Sequence, residues 1–149
     1  MNKVLVCLNG PNLNLLGERE PHIYGHDTLD DIKNRLLVIV RAHGFELDFR
    51  QSNHEGELID WIQELRDKTH GLIINPGGLT HSSVSLHDAL KSYLSPIYEV
   101  HISNPHAREP FRHHSFVSSL AAGVIVGLGT KGYDIALMTL IERLKTQLA

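Results

Sequence analysis

Compact apolar runs and amphipathic stretches alternate along the chain. Val4 to Leu8, Phe45 to Phe49, Leu72 to Ile74, Ile97 to Val100 and Val124 to Val126 are β-branched or apolar, and each predicts a strand. Between the first two, Leu29, Ile32, Leu36, Ile39 and Val40 recur at helical spacing. Leu58, Ile59, Ile62 and Leu65 do the same before the third. Thr28 stands where an N-cap belongs, with Asp31 three residues on as a weak form of capping box, and Gly44 is the C-terminal stop. A last helix is predicted over roughly Tyr133 to Leu148.

Regular β-then-α alternation favours a parallel sheet covered on both faces, because right-handed βαβ units pack that way. With five strands, the expected fold is α/β, a flavodoxin-like three-layer sandwich with strand order 2-1-3-4-5. Its ligand site should lie beyond the carboxyl ends of the strands. The polar clusters fall in the right places: NGPNLN after the first strand, QSNHEG after the second, NPGG and Thr80-His81 after the third, and His101 to Asn104 at the fourth. Residues 10 to 27 form a connection much longer than an ordinary βα loop, which suggests a lid at about 18–26.

Composition narrows the picture. With 149 residues and 42% hydrophobic content, one catalytic domain over 1–149 is expected. The 17 acidic and 14 basic residues are scattered without blocks, so neither nucleic acid nor membrane is expected as a partner. Cys7 lies alone in a strand, which suits a reducing compartment. VLVCL is too short for the core of a signal peptide, so the expected location is cytoplasmic. GLGTKG at 127–132 matches a dinucleotide fingerprint but follows the last strand, with 17 residues left after it, and reads as a turn into the final helix. The eleven histidines show no HExxH or CxxC spacing, and no metal is expected. His22, His26, His43 and His70 read as solvated surface groups, and the lack of GxxxxGK[ST] argues against ATP chemistry.

The chemistry-bearing residues gather at the strand ends. Arg19 and Tyr24 share the long first loop, where Tyr24, between Pro21 and Gly25, is either an anchoring aromatic or half of a catalytic pair. Asn75-Pro76-Gly77-Gly78 offers an amide and exposed N–H groups to an oxyanion or an ordered water, and His81 follows. Glu99 and His101 alternate on one face of the fourth strand, as a structural pair or as an imidazole oriented by a carboxylate. Ile102 and Ser103 lie just beyond, with N–H groups and a hydroxyl suited to a carboxylate, and Arg108 and Arg112 follow in a donor-rich loop.

NGPNLNLLGEREPHIYG, QSNHEGELIDWI, NPGG followed by THSSVSLHDAL, and EVHISNPHAREPFRHHS together resemble the signature segments of type II 3-dehydroquinate dehydratases, in order and over nearly the whole chain. The resemblance implies a flavodoxin-like fold, conversion of 3-dehydroquinate to 3-dehydroshikimate without metal or organic cofactor, and a homo-oligomer, a dodecamer built from trimers. It makes Tyr24 the base, with Arg19 as the cation that a phenol, ionising in water only near about pH 10, needs beside it. Asn12 and the backbone near Gly78 would hold a water against the developing oxyanion. His101, supported by Glu99, would protonate the departing hydroxyl. Asn75, His81 and Arg112 would contact substrate hydroxyls, Ile102 and Ser103 would hold its carboxylate, and Asp88 would reach the site from a neighbouring subunit.

The sequence departs from that pattern at Gly78 and Leu79, where an alanine and an aromatic are expected, and at His87, where an arginine is common. Two alternatives stand beside this reading. One is a cofactor-free isomerase of a small hydroxy acid with the same parts. The other is a flavodoxin-like binding or receiver module, which would need paired acids after the first strand, where this chain has Asn9, Asn12 and Asn14.

Overall fold

The computed structural model describes residues 3–148. Five parallel strands run β1 (Lys3–Asn9), β2 (Phe45–Gln51), β3 (Leu72–Asn75), β4 (Ile97–His101) and β5 (Gly123–Val126), in the order β2-β1-β3-β4-β5. This is the expected 2-1-3-4-5 arrangement. The helices are a single turn α1 (Pro21–Tyr24), then α2 (Leu29–Ala42), α3 (Glu55–Leu65), α4 (Val84–Lys91) and α5 (Lys131–Leu148).

Alternation within the strands builds two cores. Leu5 and Cys7 of β1, Ile73 of β3 and Val100 of β4 face a layer formed by α2 and α5, where Ile32, Leu36, Leu137 and Leu140 are buried. Val6, Leu8, Leu72, Ile74 and Ile97 face the other way, onto α3 and α4, against Leu58, Ile62, Leu86 and Leu90. Burying each such side chain contributes about 1.5–3 kcal/mol relative to exposure, so the alternation fixes the register.

Helix ends follow local chemistry. At α2 the capping box is complete: Thr28 Oγ1 accepts from the Asp31 N–H at 3.1 Å, and the Asp31 carboxylate accepts from the Thr28 N–H at 2.9 Å. GLGTKG forms the turn into α5, with Gly127 and Gly129 at φ +78° and +66°, a region that glycine enters without steric cost. The long first connection is not featureless: it holds a 3-10 turn at Leu13–Leu15 before α1. His22 and His26 are exposed, but His70 is part-buried and accepts from the Val4 N–H at 3.3 Å, so it helps seat β1. His43, half-buried, lies 2.7 Å from Lys145 Nζ through Nδ1. Among the described residues, no helix is long and apolar enough to cross a membrane.

Candidate active site

The site is built on main chain touching main chain. The Gly10 N–H donates to the Asn75 carbonyl at 2.8 Å, joining the loops that leave β1 and β3. A Cβ at position 10 would stand 2.4 Å from the Pro76 carbonyl oxygen, so only glycine permits this approach. Asn12 follows in the left-handed region at φ 72°, held by its N–H to Asn53 Oδ1 at 2.9 Å. Beneath the loops lies a buried polar network. Asn75 Nδ2 donates to Tyr133 Oη at 2.9 Å, and the Tyr133 hydroxyl donates to Asn9 Oδ1 at 2.8 Å. Asn75 Oδ1 accepts from the Gly77 N–H at 3.1 Å, which fixes the orientation of its amide.

Tyr24 is carried on α1, which opens with Pro21 at its first position, where the missing N–H costs nothing. Two guanidiniums lie over its ring, Arg19 Cζ at 4.9 Å and Arg108 Cζ at 5.4 Å from the centroid. Arg108 Nη1 also donates to the Tyr24 hydroxyl at 2.9 Å and to Ser103 Oγ at 3.1 Å. The sequence around Arg108 marks only a donor-rich loop and gives no sign of this contact.

At the end of β4, Glu99 is wholly buried and accepts from His101 Nε2 at 2.5 Å. Burial opposes its charge, but hydrogen bonds from His101, Ser118 and Thr80, with the attraction of the imidazole, hold the carboxyl below its usual range. The rings of His81 and His101 are stacked with centroids 6.3 Å apart. His81 Nδ1 donates to the His114 carbonyl at 2.8 Å. Burial, with His101 and Arg112 close by, keeps this imidazole below its ordinary pKa, so the neutral ring offers Nε2 as an acceptor.

These groups surround one cavity of about 210 Å³. Asn12, Arg19, Tyr24, Asn75, His81, His101, Ile102, Ser103 and Arg112 all line it, joined by Gly78 and Arg108. Glu99 stands behind His101 instead. Arg112 is braced by Glu109 through its Nε. Asp88 is not brought to the cavity: it is exposed on α4, beside a separate groove with Arg66 and Ser85. Of the departures from the family pattern, Gly78 lines the cavity and Leu79 packs on the α3–α4 side core. His87 is turned toward the chain between β4 and β5, with Nδ1 2.5 Å from the Phe116 carbonyl oxygen.

The model of the family "Dehydroquinase class II" matches residues 2–141. The chain belongs to the class II dehydroquinases. It is 54% identical over 149 residues to the 3-dehydroquinate dehydratase 2 of Pseudomonas putida, covering 100% of both chains. It is 59% identical over 139 residues to the 3-dehydroquinate dehydratase 2 of Agrobacterium fabrum, covering 93% of this chain and 95% of that one. Among solved structures, the type II dehydroquinase from Propionibacterium acnes superposes with a TM-score of 0.91 at 45% identity, covering 95% of this chain and 98% of that one.

Proposed function

We propose that this class II dehydroquinase removes water from 3-dehydroquinate to give 3-dehydroshikimate, through an enolate and by acid-base catalysis alone. The observation that carries the reading is that Tyr24, under two guanidiniums, and His101, backed by Glu99, line one small polar cavity.

Tyr24 takes the proton beside the substrate's ketone. A phenolate needs positive charge and a donor at its oxygen, and Arg19 and Arg108 supply both. The charge that moves onto the ketone oxygen is met by a water held between Asn12 and the backbone near Gly78, a preorganised donor of the oxyanion-hole kind. His101 protonates the departing hydroxyl. Asn75, His81 and Arg112 contact the ring hydroxyls, and Ile102 and Ser103 hold the carboxylate. The segment at 18–26, which carries Arg19 and Tyr24, acts as the lid. Asp88 reaches the cavity of a neighbouring subunit in a dodecamer of trimers. The enzyme works in the cytoplasm, in aromatic biosynthesis or in quinate breakdown.

The test is direct. Purified protein given 3-dehydroquinate should produce a conjugated enone, followed by its ultraviolet absorbance, and Tyr24→Phe should lose nearly all of the rate while still binding substrate. Full activity in that variant removes Tyr24 from the role of base.

A further inference from the structure

Three hydroxyls from two separate segments converge behind His101. Besides His101, Glu99 Oε2 accepts from Thr80 Oγ1 at 2.9 Å and from Ser115 Oγ at 3.0 Å, and Oε1 accepts from Ser118 Oγ at 2.5 Å. Thr80 lies between β3 and α4, and Ser115 and Ser118 lie between β4 and β5. None belongs to the strand that carries Glu99.

The positions of the hydrogens follow from counting. Ser115 Oγ accepts from the Val117 N–H at 3.0 Å and the Ser118 N–H at 3.1 Å, which fills both lone pairs. Its one hydrogen must therefore point outward, to Glu99 or to Thr80 Oγ1 at 2.8 Å. Thr80 cannot donate to Ser115, so its own hydrogen goes to Glu99. Thr80 and Ser118 thus donate to Glu99, with Ser115 adding its hydrogen directly or through Thr80. This set of donors favours the carboxylate, and a carboxylate requires a hydrogen on the ring nitrogen that faces it. That nitrogen is His101 Nε2. Nδ1 of the same ring has no hydrogen-bond partner among the described residues, and His101 lines the cavity.

We propose that Thr80, Ser115 and Ser118 are positioning residues: they hold Glu99 as the ionised acceptor of the His101 Nε2 hydrogen, so that Nδ1 is the atom that delivers the proton to the departing hydroxyl. The proposal rests on the reaction proposed above. In the step itself the Nδ1–H bond breaks as the carbon–oxygen bond breaks, the hydroxyl leaves as water, and His101 is left neutral with its hydrogen on Nε2. Between turnovers water relays the proton that Tyr24 took from carbon to Nδ1, which restores the phenolate and the imidazolium together and closes the proton count.

The surroundings make this support necessary. His81 and Arg112 face the ring from the chain segments before α4 and after β4, and Tyr24, Arg19 and Arg108 stand elsewhere around the cavity. His106, His113 and His114 line a second opening that His101 and Glu99 also border. Of these neighbours Glu99 is the anion in direct contact with the ring, and the guanidiniums of Arg112, Arg19 and Arg108 oppose a charged imidazole. A carboxylate weakened by loss of a donor would hold the imidazolium less well.

Ser115 also caps a turn, so the test uses Ser118→Ala and Thr80→Val, with Ser118→Thr as the variant that keeps the hydroxyl. The alkaline limb of kcat against pH should move down by about one unit in each of the first two, roughly a tenfold loss at the alkaline end, with KM little changed. Ser118→Thr should restore the wild-type profile, which a loss through packing would not predict. Independently, histidine-15N NMR of the protein without substrate should show His101, identified by its loss in His101→Asn, keeping its hydrogen on Nε2 when neutral and titrating lower in Ser118→Ala. Unchanged profiles in both folded variants, or a neutral His101 with its hydrogen on Nδ1, overturn the proposal. If the wild-type protein fails to dehydrate 3-dehydroquinate, the reaction assignment falls, and the NMR titration still decides whether the hydroxyl cluster governs the imidazole.

Discussion

Arg108 donates to the hydroxyl of Tyr24 at 2.9 Å although 84 positions separate the two residues. The same nitrogen reaches Ser103, so one guanidinium ties the α1 segment to the end of β4. Arg108→Ala should lower kcat by about 10²–10³, the usual effect of removing one preorganised donor from a site of developing charge. Arg108→Lys should recover only part of this, because an ammonium supplies charge without the planar fork. Steady-state kinetics on both variants, with kcat and KM resolved, checks the expectation.

Tyr133 is fully buried beneath the cavity and links Asn75 to Asn9. Tyr133→Phe leaves an amide donor and a carbonyl acceptor without a partner, at a cost of about 1–3 kcal/mol. Denaturant unfolding should register that loss. A rise in KM should accompany it, since Asn75 would no longer be held in one orientation.

Glu99 makes stability depend on acid. Its carboxyl lies below the usual range in the folded protein, so its stabilising contribution is present above the unfolded value, near about pH 4.3, and is lost as pH falls through the folded value. Glu99→Gln should be less stable at neutral pH, and its stability should fall less steeply between about pH 5 and 3. Thermal unfolding of both proteins across that range measures the difference.

Cys7 should be inert. Its thiol is buried in β1 and pushed up to about 12, chiefly by loss of solvent. Iodoacetamide at pH 8 should leave the native protein unmodified and alkylate it fully in denaturant, as mass spectrometry would show. Rapid labelling of the native state would mean that β1 opens far more readily than its packing implies.

Much of this architecture was legible beforehand because it rests on local signals. Runs such as Val4 to Leu8 and the spacing of Leu29, Ile32 and Leu36 name their elements, and chain chirality with β–α alternation restricts the order of the strands. The polar clusters could be assigned to one rim because parallel strands all end on the same side. What stayed hidden depends on long-range approach. Nothing near Arg108 points to Tyr24, and Thr80, Ser115 and Ser118 look like ordinary loop hydroxyls until the fold gathers them around Glu99. Tyr133 offered only an aromatic early in the last helix. In sequence His70 looks like a surface group, because its partner, the Val4 N–H, lies 66 positions away.

The contact between Gly10 and Pro76 sets a limit on how this pocket can change. Reshaping it through side chains at its rim leaves the strands where they are, but any residue larger than glycine at position 10 would wedge β1 and β3 apart and disturb the beds of Asn12 and Asn75 together. A library selected for altered substrates should therefore accept variety around the rim and return glycine at this one place.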